Sequence, residues 1–242
     1  MIKGEVMHRI DAERMSKTVA DRLQERIISE RIATGGRLPT EPELMETFGV
    51  SRTVIREATA LLVSRGIVEV RPRRGLTVRA PDGHGLADSL VAQLRMSQVS
   101  LPQLLQVRIT LESAIARMAA ENRDEVDLRL LRENVAAMGS DELQQDRLVS
   151  LDLEFHDLLA SATKNPFFFL VTRPINELLR SLYIDRAGYV SLRKVTVFEH
   201  QAILLAIEGG NADAADAATR RHLDRVGQSV EALIAERAGV TP

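Results

Sequence analysis

The sequence predicts a mainly α protein in two parts, a small N-terminal unit with one β-hairpin and a larger all-helical unit. Three observations carry that expectation. Residues 38–78 hold two short helical patterns, a glycine break and two short strand-like stretches. From Leu86 onward, apolar residues recur at helical spacing and no convincing strand appears. Aromatic residues make up only 3% and tryptophan is absent, so the core must be built from Leu, Ile, Val, Ala and Met, which suits helix-on-helix packing.

Taken in order, residues 1–13 are mixed in character and are expected to form a loose arm. Met15 to about Ile32 reads as a helix, with Val19, Leu23 and Ile27 as its apolar stripe and Gly35-Gly36 as its end. Thr40 and Glu43 have capping-box spacing, so Thr40 should open a helix running to Phe48, with Pro42 in its tolerant first turn. Gly49 supplies the break and Ser51 can cap the next helix, in which Ile55, Ala58 and Leu62 face inward. Arg52 and Arg56, four apart, then share the outward face. Ile67–Arg71 and Leu76–Val78 read as paired strands, with Pro72, Arg73, Arg74 and Gly75 as the tip. Two helices at a tight turn, followed by a basic two-stranded wing, make a winged helix-turn-helix over residues 1–79.

APDGHG at 80–85 reads as the linker. Residues 86–242 then read as an antiparallel bundle of six or seven helices, near 86–96, 101–122, 124–138, 142–163, 167–186, 191–208 and 212–237. Breaks fall at Pro102, Gly139, Asn165-Pro166, Gly188 and Gly209-Gly210-Asn211.

The net charge of −2 conceals an asymmetry. Residues 1–80 carry 15 Lys+Arg against 11 Asp+Glu, a surplus of four positive charges, while the remainder carries 17 against 23, a surplus of six negative ones. Only the first part suits a phosphate backbone. The absence of cysteine excludes a disulfide framework and thiolate chemistry. No stretch has the look of a signal peptide or a membrane span, and a cytoplasmic location is expected.

In the N-terminal part, Arg52 and Arg56 are placed to meet guanine edges or phosphates in a major groove. Ser51 and Thr53 suit phosphate contacts that set the register, and Arg73 and Arg74 suit the minor groove or backbone. One such unit reads few base pairs, so a homodimer on a palindromic operator is expected. In the bundle, Asp152 and His156 lie four apart on one helical face. His200 and His222 stand about equally far before and after the Gly210–Asn211 turn, and so level across a helical hairpin. One carboxylate and three imidazoles make an N₃O set that Zn²⁺, Ni²⁺ or Mn²⁺ could accept.

These residues also carry resemblances. GRLPTEPEL at 36–44, followed by GVSRTVIREA and GIV at 49–58 and 66–68, resembles the N-terminal domain of the GntR family of bacterial transcription regulators. Many relatives have an arginine that touches DNA where this chain has Pro42. DLEFH at 152–156, EHQAI at 199–203 and RRHL at 220–223 resemble the FCD effector-binding domain of one branch of that family. There an Asp and three His commonly bind a divalent cation, which implies Asp152, His156, His200 and His222 here. LLQVRITLESAIARMAAEN at 104–122 is similar to that domain's long early helix, whose arginine is aimed at an acidic ligand; the matching residue is Arg108. An intrahelical pair of Arg108 with Glu112 is the alternative. Arg173, Asn176, Arg180 and Tyr183 could shape the same cavity.

The expectation is thus a non-enzymatic, DNA-binding regulator, most simply a repressor. Its operator affinity would respond to a small carboxylate or sugar acid bound beside a metal, zinc foremost. The alternative is a metal-dependent hydrolase or lyase with an accessory DNA-binding domain.

Overall fold

In a computed structural model of the chain, the described residues are 2–80, 90–93, 96–97, 100–183 and 192–237, with the side chains of 2–12, 101, 181–183 and 230–237 outside them. The chain divides into two compact units, between residues 86 and 87. The expected linker at 80–85 lies outside the described residues except for Ala80.

The first unit contains α1 (Ile2–Ser29), α2 (Glu41–Phe48), α3 (Arg52–Ser64), β1 (Val68–Arg71) and β2 (Gly75–Val78). The helical backbone begins at Ile2, where a loose arm was expected at 1–13. The reason lies in composition: residues 2–13 contain no proline and a single glycine, so nothing stops the pattern of α1 from extending backward. At its other end α1 stops before Gly35. Arg31 takes a left-handed conformation (φ 51°), and Ile32 N–H reaches back to the Ile27 carbonyl at 3.0 Å, closing the last turn.

The helix-turn-helix follows its local signals. Thr40 and Glu43 form the capping box, with Thr40 N–H donating to Glu43 Oε2 at 2.7 Å. Gly49 (φ 64°) ends α2 in the left-handed region that favours glycine. Ser51 Oγ then accepts from Val54 N–H at 3.4 Å to start α3. Gly36 is fixed by space: a Cβ there would lie 2.6 Å from Ile32 Cγ2 and 2.7 Å from the Ala33 carbonyl. The chain turns tightly back on Ile32 and Ala33 here and then runs along the wing. Gly35 N–H donates to Val78 O at 2.8 Å and Leu38 N–H to Leu76 O at 2.9 Å. The antiparallel wing pairs Val68 with Val78 and Arg71 with Gly75. Val19, Leu23, Leu44, Ile55, Leu62 and Val68 form one buried core beneath these elements, and Arg65 ties α3 to α1 through Asp21 at 2.7 Å.

The second unit is all-helical among the described residues: α4 (Leu101–Asn122), α5 (Glu125–Met138), α6 (Gln145–Ala162), α7 (Pro166–Tyr183), α8 (Arg193–Glu208) and α9 (Ala212–Arg237). Residues 90–93 are also helical, while the rest of the helix expected at 86–96 lies mostly outside the described residues. Asp124 caps α5 through Val126 N–H and Asp127 N–H, and Ser100 caps α4. Helix α4 packs along α9, α9 along α8, and α6 between α5 and α7. Their apolar stripes meet in a core of Ile115, Leu131, Phe155, Leu159, Ile203 and Ile207.

Leu62 is fully buried where α3 meets α1 and the wing. Leu62→Ala is expected to destabilise the N-terminal unit by about 2–5 kcal/mol, from lost transfer energy plus the cavity left behind. Denaturant unfolding of wild type and variant measures this. A loss under about 1 kcal/mol would mean the site collapses around the smaller side chain.

Candidate nucleic-acid interface and metal centre

The 3.6-residue period divides α3 into two faces. Val54, Ile55, Ala58 and Leu62 are buried, whereas Ser51, Arg52, Thr53 and Arg56 are exposed. Arg73 and Arg74 are exposed at the wing tip, where Arg73 adopts a left-handed conformation (φ 63°) and Arg74 N–H bonds back to Arg71 O at 3.1 Å. Three other arginines of this unit are paired within it, Arg26 with Glu30, Arg65 with Asp21 and Arg71 with Glu69. Arg52, Arg56, Arg73 and Arg74 make no ion pair with a described residue. Their charge faces solvent uncompensated, on the helix and hairpin that a winged helix-turn-helix presents to a duplex.

In the second unit, three helices bring together the four residues picked out by spacing. Asp152 and His156 project from α6, His200 from α8 and His222 from α9, and one ligand atom from each lies within 4.8 Å of all the others. All four are buried. His200 Nε2 stands 3.3 Å from His222 Nε2 and 3.4 Å from Asp152 Oδ1. Asp152 Oδ1 and His156 Nε2 have no hydrogen bond. Buried polar atoms left without partners are costly unless a cation takes them up. The donor chemistry and the orphaned atoms therefore fit a divalent ion. The Phe155 ring stacks on His200 with centroids 4.0 Å apart and planes at 13°, closing one side with hydrocarbon.

Around these four stands a set of groups only partly foreseen. Glu112 receives Arg108 Nε on Oε1 at 2.6 Å, both side chains being buried, and its Oε2 lies against His156 Nδ1. The Arg108–Glu112 pair is thus formed, and it continues to a histidine of the cluster. Burial raises the Glu112 carboxyl, but the Arg108 charge and His156 outweigh it and hold it down to about 2. Glu199 and Arg225 were missed. His222 Nδ1 lies 2.7 Å from Glu199 Oε2, and Arg225 Nε donates to both Glu199 oxygens at 2.8 Å. The available signal was position: Glu199 adjoins His200 on α8, and Arg225 follows His222 by three on α9. On α7, Asn176 is buried and donates to Asp157 Oδ1 at 2.7 Å, Arg180 donates to Ser150 Oγ at 2.6 Å, and Arg173 lies 5.3 Å above the Phe169 ring. The Tyr183 side chain lies outside the described residues.

An exposed basic recognition helix and wing, in a chain that also carries a helical unit with a buried polar cluster, define a DNA-binding class of protein. The comparisons with known proteins agree. Residues 15–78 match the model of the bacterial regulatory proteins of the gntR family, and residues 103–225 match the FCD domain. The chain belongs to the GntR family of transcription regulators, in the branch that carries an FCD domain. It is 32% identical over 197 residues to the HTH-type transcriptional regulator LutR of Bacillus subtilis, covering 79% of this chain and 90% of that one. It is 30% identical over 231 residues to the HTH-type transcriptional repressor NanR of Citrobacter rodentium, covering 91% and 86%. Among solved structures, a GntR protein of Streptococcus agalactiae superposes with a TM-score of 0.68 at 28% identity, covering 88% of this chain and 99% of that one. These relatives are transcription regulators, and so is this chain; the hydrolase or lyase alternative is set aside. Among the described residues no helix is long and apolar enough to cross a membrane.

Burial, and then the neighbouring imidazoles, hold His200 well below the ordinary histidine value of 6.5. Burial also lowers His222, with Glu199 opposing it. In an unfolded chain both rings gain protons as pH falls below about 6.5, and the folded chain resists that uptake. The stability tied to these rings is therefore present above about 6.5 and lost as pH falls. Metal-free protein is expected to melt at progressively lower temperature from about pH 7 to about pH 5, and His200→Asn should flatten that slope. Scanning calorimetry across the range checks this; parallel profiles for wild type and variant would show that His200 is not part of it.

Proposed function

We propose that the chain is a cytoplasmic, homodimeric repressor that binds a palindromic operator and responds to a small organic acid, a carboxylate or sugar acid, at a divalent-metal centre in its helical unit. The convergence of Asp152, His156, His200 and His222 in a buried cluster is the observation that carries the effector half of this reading. The relatives named as regulators or repressors support the DNA half.

On DNA, α3 enters the major groove. Arg52 and Arg56 meet guanine edges or phosphates, Ser51 and Thr53 hold the backbone, and Arg73 and Arg74 reach the minor groove or its flanking phosphates. Ser51 already accepts Val54 N–H, which leaves its hydroxyl proton to donate to a phosphate. Pro42 offers no side-chain contact where many relatives place arginine, so the burden falls on α3 and the wing.

In the helical unit, Asp152 and the three histidines would hold the ion, zinc first, with nickel or manganese as alternatives. Once bound, the ion supplies a positive charge with coordination positions that ligand oxygens can fill. Arg108 supplies the second anchor, its guanidinium oriented through Nε by Glu112. Acid binding alters operator affinity only as far as it favours one conformation of the dimer over another.

Arg52→Ala is expected to weaken binding to an operator selected from random DNA by about 1–3 kcal/mol while leaving the dimer folded. Gel-shift titration reads this, and unchanged affinity would remove Arg52 from the interface. For the effector half, wild type should carry about one divalent ion per chain by elemental analysis and should melt higher with it. The double change His200→Ala, His222→Ala should abolish both effects. Arg108→Ala would also strip Glu112 of its partner, so Arg108→Lys is the cleaner probe. It keeps a charge beside Glu112 and loses the planar fork, and should weaken organic-acid binding in calorimetric titration while metal content holds. Full acid affinity in that variant would assign Arg108 to the support of Glu112 alone.

A further inference from the structure

Two arms of the same composition approach the cluster from different helices. In one, Arg108 holds Glu112, and Glu112 Oε2 lies against His156 Nδ1. In the other, Arg225 holds Glu199, and Glu199 Oε2 stands 2.7 Å from His222 Nδ1. Each runs arginine, glutamate, histidine, and each meets the imidazole at Nδ1. With Nδ1 taken, Nε2 is the nitrogen left over: in His222 it stands 3.3 Å from His200 Nε2, and in His156 it is buried without a hydrogen bond.

The second arm is the more constrained by contacts. Arg225 Nε lies 2.8 Å from each Glu199 oxygen, and its Nη2 reaches Thr196 Oγ1 at 3.1 Å, one turn before Glu199 on α8. The arginine keeps Glu199 ionised, and an ionised carboxylate can only accept hydrogen bonds. His222 Nδ1 must then carry the proton, and its Nε2 must present a lone pair toward Asp152, His156 and His200. A simple clasp between α8 and α9 would need only Arg225 and Glu199. The third contact, to a buried ring nitrogen, is what a clasp does not require. His200 provides the contrast, since no carboxylate of the described residues stands against its buried Nδ1 and its ring is held by stacking on Phe155.

We propose that Glu199, held by an Arg225 that is itself tied to Thr196, is a positioning residue for the divalent ion, fixing His222 in the Nδ1–H tautomer so that Nε2 serves as donor. This rests on the reading that the cluster binds a divalent ion. Carboxylates that hold the outer nitrogen of a metal-ligating histidine commonly contribute 10–100-fold to metal affinity.

The test uses full-length protein stripped of metal by a chelator. Zn²⁺ is then titrated against a competing chromogenic chelator, for wild type, Glu199→Gln and Glu208→Gln. Glu208, on the same helix and paired with Arg132, controls for loss of a carboxylate alone. Glu199→Gln should bind Zn²⁺ about 10–100-fold more weakly, with Glu208→Gln equal to wild type. Nitrogen-15 NMR of metal-free wild type should show His222 as the Nδ1–H tautomer, and Glu199→Gln should show a mixture. Tight wild-type binding with an equal affinity in Glu199→Gln would overturn the positioning role and leave the metal site standing. An Nε2–H tautomer of His222 in metal-free wild type would overturn it too, whether or not the variant folds. No Zn²⁺ binding by wild type would overturn the metal reading itself, and this inference with it.

Discussion

His200 and His222 face each other because the hairpin joining α8 to α9 is held to a single register. Gly210 (φ 64°) takes the left-handed turn, Asn211 N–H returns to Ala206 O at 2.9 Å, and Asn211 Oδ1 caps α9 by accepting Ala214 N–H at 3.0 Å. Just past the end of α4, Arg123 Nη2 donates to the Glu208 carbonyl at 3.0 Å and lies close to Gly210. A slip of one residue in α9 would turn His222 about 100° around the helix, away from its partners. The cluster, both carboxylate arms and the fit to a cation all depend on that register.

Gathering so many ionisable groups inside a small bundle opposes folding. Each charge removed from water costs several kcal/mol unless partners restore what hydration supplied. The bundle meets this by nesting: arginine satisfies glutamate, glutamate satisfies imidazole, and the remaining lone pairs converge where a cation can sit. The network stays incomplete in places, among them His200 Nδ1 on the outside and Asp152 Oδ1 and His156 Nε2 at the cluster itself, whose chemistry suits a cation. The wing and recognition helix show the opposite arrangement. Arg52, Arg56, Arg73 and Arg74 stand in water, where an unpartnered charge costs little and is available to phosphate.

Most of the architecture was legible in short-range signals. The Thr40–Glu43 capping box, the Gly49 break and the 3.6-residue stripes of the bundle each act within one or two turns, so sequence alone could place them. Asp152 with His156, and His200 with His222 about a known turn, were legible for the same reason. Glu199 and Arg225 were not, because their roles arise between helices. Glu199 sits one position from His200, so it points about 100° away on α8, and only packing against α9 brings it to His222. Glu112 was visible as the partner of Arg108, but its second contact needs α6 alongside α4. The start of α1 was misjudged because mixed polarity was read as looseness, although nothing in residues 2–13 forbids a helix.

Phe155 belongs to two structures at once. It is part of the main apolar core of the helical unit, and its ring is the surface on which His200 rests. The aim of a donor atom is thereby set by the packing of residues with no polar chemistry of their own. A substitution at Ile203 or Leu159 that nudges Phe155 by a fraction of an ångström would be transmitted mechanically to the imidazole. A change in this core can therefore preserve stability and still shift the donor atoms of the cluster.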